Sequence, residues 1–204
     1  GAQIMGMIAS IAIGLTTGTT ILVGQAIGAR KLEYTGQIIG TAICFFLTLS
    51  VILTVLMECF ATPIADIMRA PEEAFTQTIQ YVRICSAGSV FIVFYNLLCS
   101  VFRGIGDSKT PLIAVTVASV VNIIGDLILV SVFHMGAAGA AIATIGAQAF
   151  SVVISFLIIK RRGLPFPFSM QQVRFDGKIV RKTLAMGAPI ALQDSLVVSF
   201  GFGF

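Results

Sequence analysis

The fold is decided by the stretch from Thr110 to Ile159, TPLIAVTVASVVNIIGDLILVSVFHMGAAGAAIATIGAQAFSVVISFLII, fifty residues in which Asp126 is the only formal charge. A helix needs about 20 apolar residues to cross the hydrocarbon core of a bilayer, so this stretch is too long for one pass. It divides at His134-Met135-Gly136 into one helix near Pro111 to Phe133 and another near Ala137 to Ile159. Val, Ile and Thr are abundant, but barrel strands would show alternating segments of about ten residues. In lipid the helix prevails over β-propensity because it satisfies its own backbone.

The same pattern extends outward. Residues 1–29, 34–57 and 84–102 also lack charge, and an apolar pattern resumes at Thr183 and runs to Phe204. Six hydrophobic segments result, at 3–28, 37–60, 81–102, 111–133, 137–159 and 183–204. Of the 204 residues 57% are hydrophobic and only 11% are charged, with a mean hydropathy of +1.00. A soluble domain carries about a quarter of its residues as charges. A soluble enzyme, a nucleic-acid module and a disordered tail are therefore excluded. The expected fold is an all-α polytopic membrane bundle of about five complete spans plus a sixth at the C-terminal end.

The charges also set the orientation. Arg30, Lys31, Arg103, Lys109, Lys160, Arg161, Arg162, Arg174, Lys178, Arg181 and Lys182 fall in alternate loops on one side, against Arg69 and Arg83 on the other. Eleven against two assigns the first side to the cytoplasm, so topology explains the net charge of +4 and no nucleic-acid partner is called for. A lipid-binding basic patch stays open for residues 160–182. The chain starts with Gly1 and stops within an apolar stretch, so it is expected to be a piece of a longer, transporter-sized protein.

Small residues recur at helix-contact spacing in the pairs Gly14/Gly18, Gly24/Gly28 and Gly36/Gly40, and along Ala137 to Ala143, which predicts close helix packing. Cys44, Cys59, Cys85 and Cys99 lie in or at the ends of apolar segments without a CxxC pair, which points to packing and away from a disulfide framework or metal site. The loop Arg103-Gly104-Ile105-Gly106-Asp107-Ser108-Lys109-Thr110-Pro111 is not a phosphate cradle, because Asp107 and Ser108 separate the glycines from the lysine. It reads as a tight turn, with Asp107 or Ser108 capping the next helix and Pro111 near its start. The outer loop 62–80 predicts a short amphipathic helix ending near Pro71 and then a new helix start. Residues 161–182 predict a cytoplasmic linker with an interfacial amphipathic helix.

Asp126 is the ionisable residue left inside the membrane, where such groups are costly and tend to be functional. It lies 15 residues after Pro111, about 22 Å along the helix, in the outer half of the bilayer. Asn122 sits one turn earlier on the same face, and the two side chains can converge on one ligand or proton. A buried carboxylate that is either protonated or paired with a cation suits coupling to H+ or Na+. Tyr95 and Asn96 in the third segment, and Thr144 and Gln148 in the fifth, are candidate lining residues or interhelical glue. Asp194, beside Gln193, falls near mid-membrane in the last segment, while Glu58 and His134 read as interface residues. One histidine, and no HExxH or GxSxG, leaves no catalytic constellation.

Taken together, the stretch Gly18 to Ala29 (GTTILVGQAIGA), the loop Arg103 to Pro111, Asn122-Ile123-Ile124-Gly125-Asp126 and Gly136 to Thr144 (GAAGAAIAT) resemble the multidrug and toxic compound extrusion (MATE) transporters over the whole chain. The resemblance implies twelve helices in two six-helix lobes. This chain would supply helices two to six of the first lobe (residues 1–160), a linker (161–182) and the start of the second lobe (183–204). It also implies that Asn122 and Asp126 belong to the cation and substrate site, and that cationic or amphipathic drugs are exported across the plasma membrane in exchange for H+ or Na+, by alternating access and without a bound cofactor. The family's acidic residue of the first helix has no counterpart here, and Asp194 does not match the family's seventh-helix glutamate. A lipid-linked oligosaccharide flippase of the same superfamily is the alternative. It would call for a more cationic cavity, and these segments carry no central Lys or Arg.

Overall fold

Backbone groups with no water to bond to must pair within their own segment, and the apolar segments do so as helices in the computed structural model, which describes residues 2–67, 72–163, 166 and 168–201. In chain order these are α1 (Ala2–Gly28), α2 (Leu32–Ile67), α3 (Glu72–Ala87), α4 (Ser89–Gly104), α5 (Lys109–Asp126), α6 (Gly136–Arg162) and α7 (Gly177–Gly201). No strand occurs among the described residues. Three helical stretches are long and apolar enough to cross a membrane: Leu32–Cys59, Lys109–Val132 and Gly136–Arg162. Ile79–Ala87 and Ser89–Gly104, bent by 50° at their junction, are long and apolar enough only as a pair, and Ala12–Gly28 is a shorter apolar helix. The chain is thus an all-α polytopic membrane bundle.

The helices differ from the expected segments in three places. The third segment is not one rod: it breaks at Gly88, where the Ile145 side chain of α6 occupies the space a Cβ would need. α2 runs unbroken to Ile67, so residues 62–67 continue the second span and form no separate helix; the expected helix end at Ala70-Pro71 lies outside the described residues. Among the described residues of the linker the regular structure is a single 3-10 turn, Met170–Gln172, and the apolar Ile179 and Val180 already belong to α7, which begins at Gly177.

α1 is the central helix, with α2, α4 and α7 packed around it. Its Leu22 and Val23 join Ile38 and Phe46 of α2 and Val93 and Leu97 of α4 in the buried core. Small hydroxyls link the helices where lipid offers no partner: Thr20 Oγ1 lies 2.8 Å from Ser100 Oγ, which donates to the Thr16 carbonyl, and Thr54 Oγ1 lies 2.7 Å from Ser89 Oγ. α5 lies at the periphery, and Leu112, Ile113, Val115, Val120, Ile123, Ile124 and Leu127 are 45–66% exposed along it.

The three GxxxG pairs have three different fates. Gly14 and Gly18 bring α1 into backbone contact with Ala191, Thr183 and Gly187 of α7. Gly36 and Gly40 admit Gln172 and Val173 of the linker turn rather than a helix. At Gly24 a Cβ would find only the Gly104 carbonyl, at 3.5 Å, and at Gly28 it would find nothing within 4 Å.

The loop between α4 and α5 is the tight turn its sequence predicts. Gly106 takes φ +83°, and the Asp107 amide donates to the Phe102 carbonyl, which closes α4 in a Schellman turn. Asp107 then caps α5: its Oδ1 accepts from the amides of Lys109 (3.0 Å) and Thr110 (3.1 Å), and its Oδ2 from the Thr110 hydroxyl. The Arg162 guanidinium at the end of α6 stands 3.9 Å away. The Thr110 hydroxyl, then its amide, hold the Asp107 carboxyl below the ordinary aspartate value of 3.8. A depressed carboxyl stabilises the fold above the unfolded-state value, and that stabilisation is lost as pH falls through the folded value. Asp107→Ala, which removes the cap, is expected to lower the unfolding free energy by about 1 kcal/mol at neutral pH. The gap between the two proteins should narrow as the wild-type carboxyl protonates below about pH 4, which thermal denaturation across a pH series will read.

Candidate ion and substrate site on the α5–α6 face

α5 and α6 run antiparallel and close together because small residues face each other along their length. The Ser151 hydroxyl of α6 donates to the Ala114 carbonyl of α5 at 3.0 Å, Gly125 packs on Ala143, and Gly139 lies against the Leu129 backbone. This register sets Asn122 opposite Thr144: the Asn122 Nδ2 donates to the Thr144 Oγ1 at 3.4 Å, and that hydroxyl donates to the Ala140 carbonyl at 2.9 Å. Two polar residues separated by 22 positions thus meet.

Asp126, one turn beyond Asn122, is partly buried, and among the described residues its Oδ1 is fully covered and finds no hydrogen-bond donor. Gln148, one turn beyond Thr144, also has a covered Oε1 without a partner. An unpaired buried polar atom costs about 1–3 kcal/mol, so the Asp126 oxygen marks a place where the fold has not been relaxed for stability alone. The α-helical ladder of α5 gives way immediately after Asp126 to a π-helical stretch, Leu127–Val132, which ends at His134 with φ +54°. Widened turns of this kind are rare and occur often beside functional groups.

The other candidates sit apart from this face. Asn96 is turned back on its own helix, its Nδ2 donating to the Ile92 carbonyl at 2.8 Å. Tyr95 is half-buried beside Cys99 on α4 and within electrostatic reach of Arg103, on the side that the loop charges assign to the cytoplasm. Among the described residues no hydrogen bond joins either side chain to α5 or α6. Asp194 is partly buried on α7, and the exposed Glu58 of α2 pairs with Arg83 of α3 at 3.8 Å.

One residue escaped the sequence reading. Tyr81 of α3, half-buried beside Cys85, lies within electrostatic reach of Asp126. Its signal was depth: it opens the third segment at the outer end, the level at which a count from Pro111 places Asp126. The carboxylate thus has the Asn122 amide one turn away on α5 and the hydroxyl-bearing Thr144 of α6 and Tyr81 of α3 around it, whereas Gln148 lies on the far side of the Asn122–Thr144 pair. Such a set can exchange a proton with Asp126 or offer oxygen donors to a small cation.

Comparison with known proteins identifies the family. The chain is 28% identical to the probable multidrug resistance protein YoeA of Bacillus subtilis over 95% of its own length and 45% of that protein's, and 27% identical to the probable multidrug resistance protein YpnP of the same organism over 92% and 42%. It thus spans about half the length of the relatives it matches. Among solved structures, an inward-facing multidrug resistance MATE family transporter of the MOP superfamily superposes with a TM-score of 0.90 at 26% identity, covering 96% of this chain and 46% of that one. The MatE family model matches residues 1–128, a range that includes both Asn122 and Asp126, and the chain belongs to the MatE family.

Proposed function

We propose that the chain is the larger part of the first lobe, with the first helix of the second, of a transporter that exports cationic or amphipathic small molecules across the plasma membrane in exchange for H+ or Na+. The observation that supports this reading best is the Asn122–Thr144 hydrogen bond beside a covered, unpartnered Asp126 carboxylate oxygen. In it, Asp126 takes up a proton or a cation when the site faces outward, and the neutralised site no longer holds a cationic substrate. Asn122 and Thr144 fix the shape of the site, and Tyr81 adds a hydroxyl-bearing residue to its polar wall. Loading changes the relative stability of outward and inward states, so binding on one side is released on the other. α7 moves with the second lobe, which makes its contact with α1 an inter-lobe contact.

Efflux of a fluorescent lipophilic cation from cells or vesicles carrying the full-length transporter tests this, with the proton and sodium gradients collapsed in turn. Loss of efflux with one gradient and survival with the other is expected and identifies the coupling ion. Efflux that persists with both collapsed and stops on ATP depletion would refute ion-coupled antiport.

A further inference from the structure

Where the end of α1, the start of α2 and the first turns of α7 meet, a cleft of about 360 Å3 has an apolar floor of Leu22, Ala26 and Met186 and a rim that carries Lys31, Tyr34 and Lys182. The Lys182 Nζ stands 5.9 Å from the Tyr34 ring centroid. A second hollow of about 460 Å3 shares Tyr34 and Lys182 and adds Lys178 and Arg181. The acidic residue on that wall, Asp176, is engaged: its Oδ1 caps α7 by accepting from the amides of Lys178 (2.8 Å) and Ile179 (3.4 Å). Among the described residues neither Lys31 nor Lys182 makes an ion pair. The cleft lies on the side that the loop charges assign to the cytoplasm.

Cationic rim and apolar floor stand in the order that a phospholipid presents them at a membrane surface, with the phosphate outside and the acyl chain inside. Basic pockets between spanning helices on the cytoplasmic side suit anionic headgroups, and lysines can reach to that level while their stems cover apolar surface. A free anion would use the rim and leave the floor without a role. We propose that this cleft binds one anionic phospholipid, with its phosphate between Lys31 and Lys182 beside Tyr34 and its first acyl carbons on Leu22, Ala26 and Met186.

Binding of fluorescent phosphatidylglycerol and phosphatidylcholine to the purified full-length transporter tests the site. Phosphatidylglycerol is expected to bind about 25-fold more tightly than phosphatidylcholine, since one net negative charge separates them and each of the two lysines contributes about a fivefold factor. K31Q with K182Q should weaken phosphatidylglycerol binding by about 25-fold, to the level of phosphatidylcholine, which stays unmoved, while K31R with K182R keeps it within about twofold. K31Q alone, in an exposed turn, should give a fivefold step on its own should the double variant fold poorly. Equal binding of the two lipids, unchanged binding by K31Q with K182Q, or loss in the arginine pair at an unchanged melting temperature would overturn the proposal. Displacement of the lipid by millimolar inorganic phosphate would also overturn it, since the site would then be one for a free anion.

Discussion

In the full-length transporter Asp126→Asn is expected to reduce ion-coupled efflux by about 10- to 100-fold, with the protein still made and folded. The size follows from what coupling requires. A ligand shifts a two-state equilibrium only by its differential affinity for the two states, and moving a population from mostly inward to mostly outward takes several kcal/mol. Asparagine has nearly the shape of aspartate but neither titrates nor carries a charge to pair with a cation, so it removes that difference and leaves the surrounding packing. Stability should hold or rise slightly, because the substitution removes a carboxylate whose Oδ1 is covered and unpartnered among the described residues. Efflux with and without an imposed gradient, alongside the melting temperature, separates the two effects. Unchanged drug resistance together with unchanged gradient-dependent efflux would remove Asp126 from the mechanism.

Much of this site is legible in a single sequence because a membrane simplifies the physics. With so few charges, each one is either a loop marker or an exception, and Asp126 is an exception by count alone. Its partner on the same helix follows from the 3.6-residue period, which places Asn122 on the same face. What the sequence does not carry is which surface of another helix lies opposite. The Asn122–Thr144 contact depends on a register fixed by Gly125, Ala143, Gly139 and Ser151, none of which is unusual by itself. The same blindness hid Tyr81, whose closeness to Asp126 depends on how α3 lies beside the outer end of α5. It also kept Tyr95 and Asn96 among the candidates, since a polar side chain at mid-helix looks the same in sequence whether it lines a cavity or bonds back to its own backbone, as Asn96 does. The break at Gly88 and the π-helical turn after Asp126 are responses to neighbours as well: a glycine in a helical stretch is compatible with a straight rod until a side chain such as Ile145 fills its space.

The glycines make the point testable, because the same substitution should have opposite signs at two sites. Gly18→Ala is expected to destabilise the protein by about 1–3 kcal/mol, and Gly18→Val by more. A Cβ there collides with the Thr183 carbonyl and would sit 2.9 Å from the Gly187 amide nitrogen, and both are backbone atoms that cannot rotate away. Relief requires α1 and α7 to separate along their length, and Gly187 allows no compensating shift, since its own Cβ position lies 2.9 Å from the Leu15 Cα. Gly146→Ala on α6 meets nothing within 4 Å and exchanges a flexible residue for the best helix former, so it should be neutral or stabilising by up to about 1 kcal/mol. Both can be followed without tryptophan, which the chain lacks, by the rate at which a maleimide dye labels the buried Cys85 and Cys99 on heating. Because α1 and α7 belong to different lobes in the proposed transporter, Gly18→Ala should also slow efflux more than its loss of stability explains, whereas Gly146→Ala should leave efflux unchanged. Equal shifts at the two positions would mean that α1 and α7 do not touch through Gly18, and the inter-lobe contact would have to be sought elsewhere on α1.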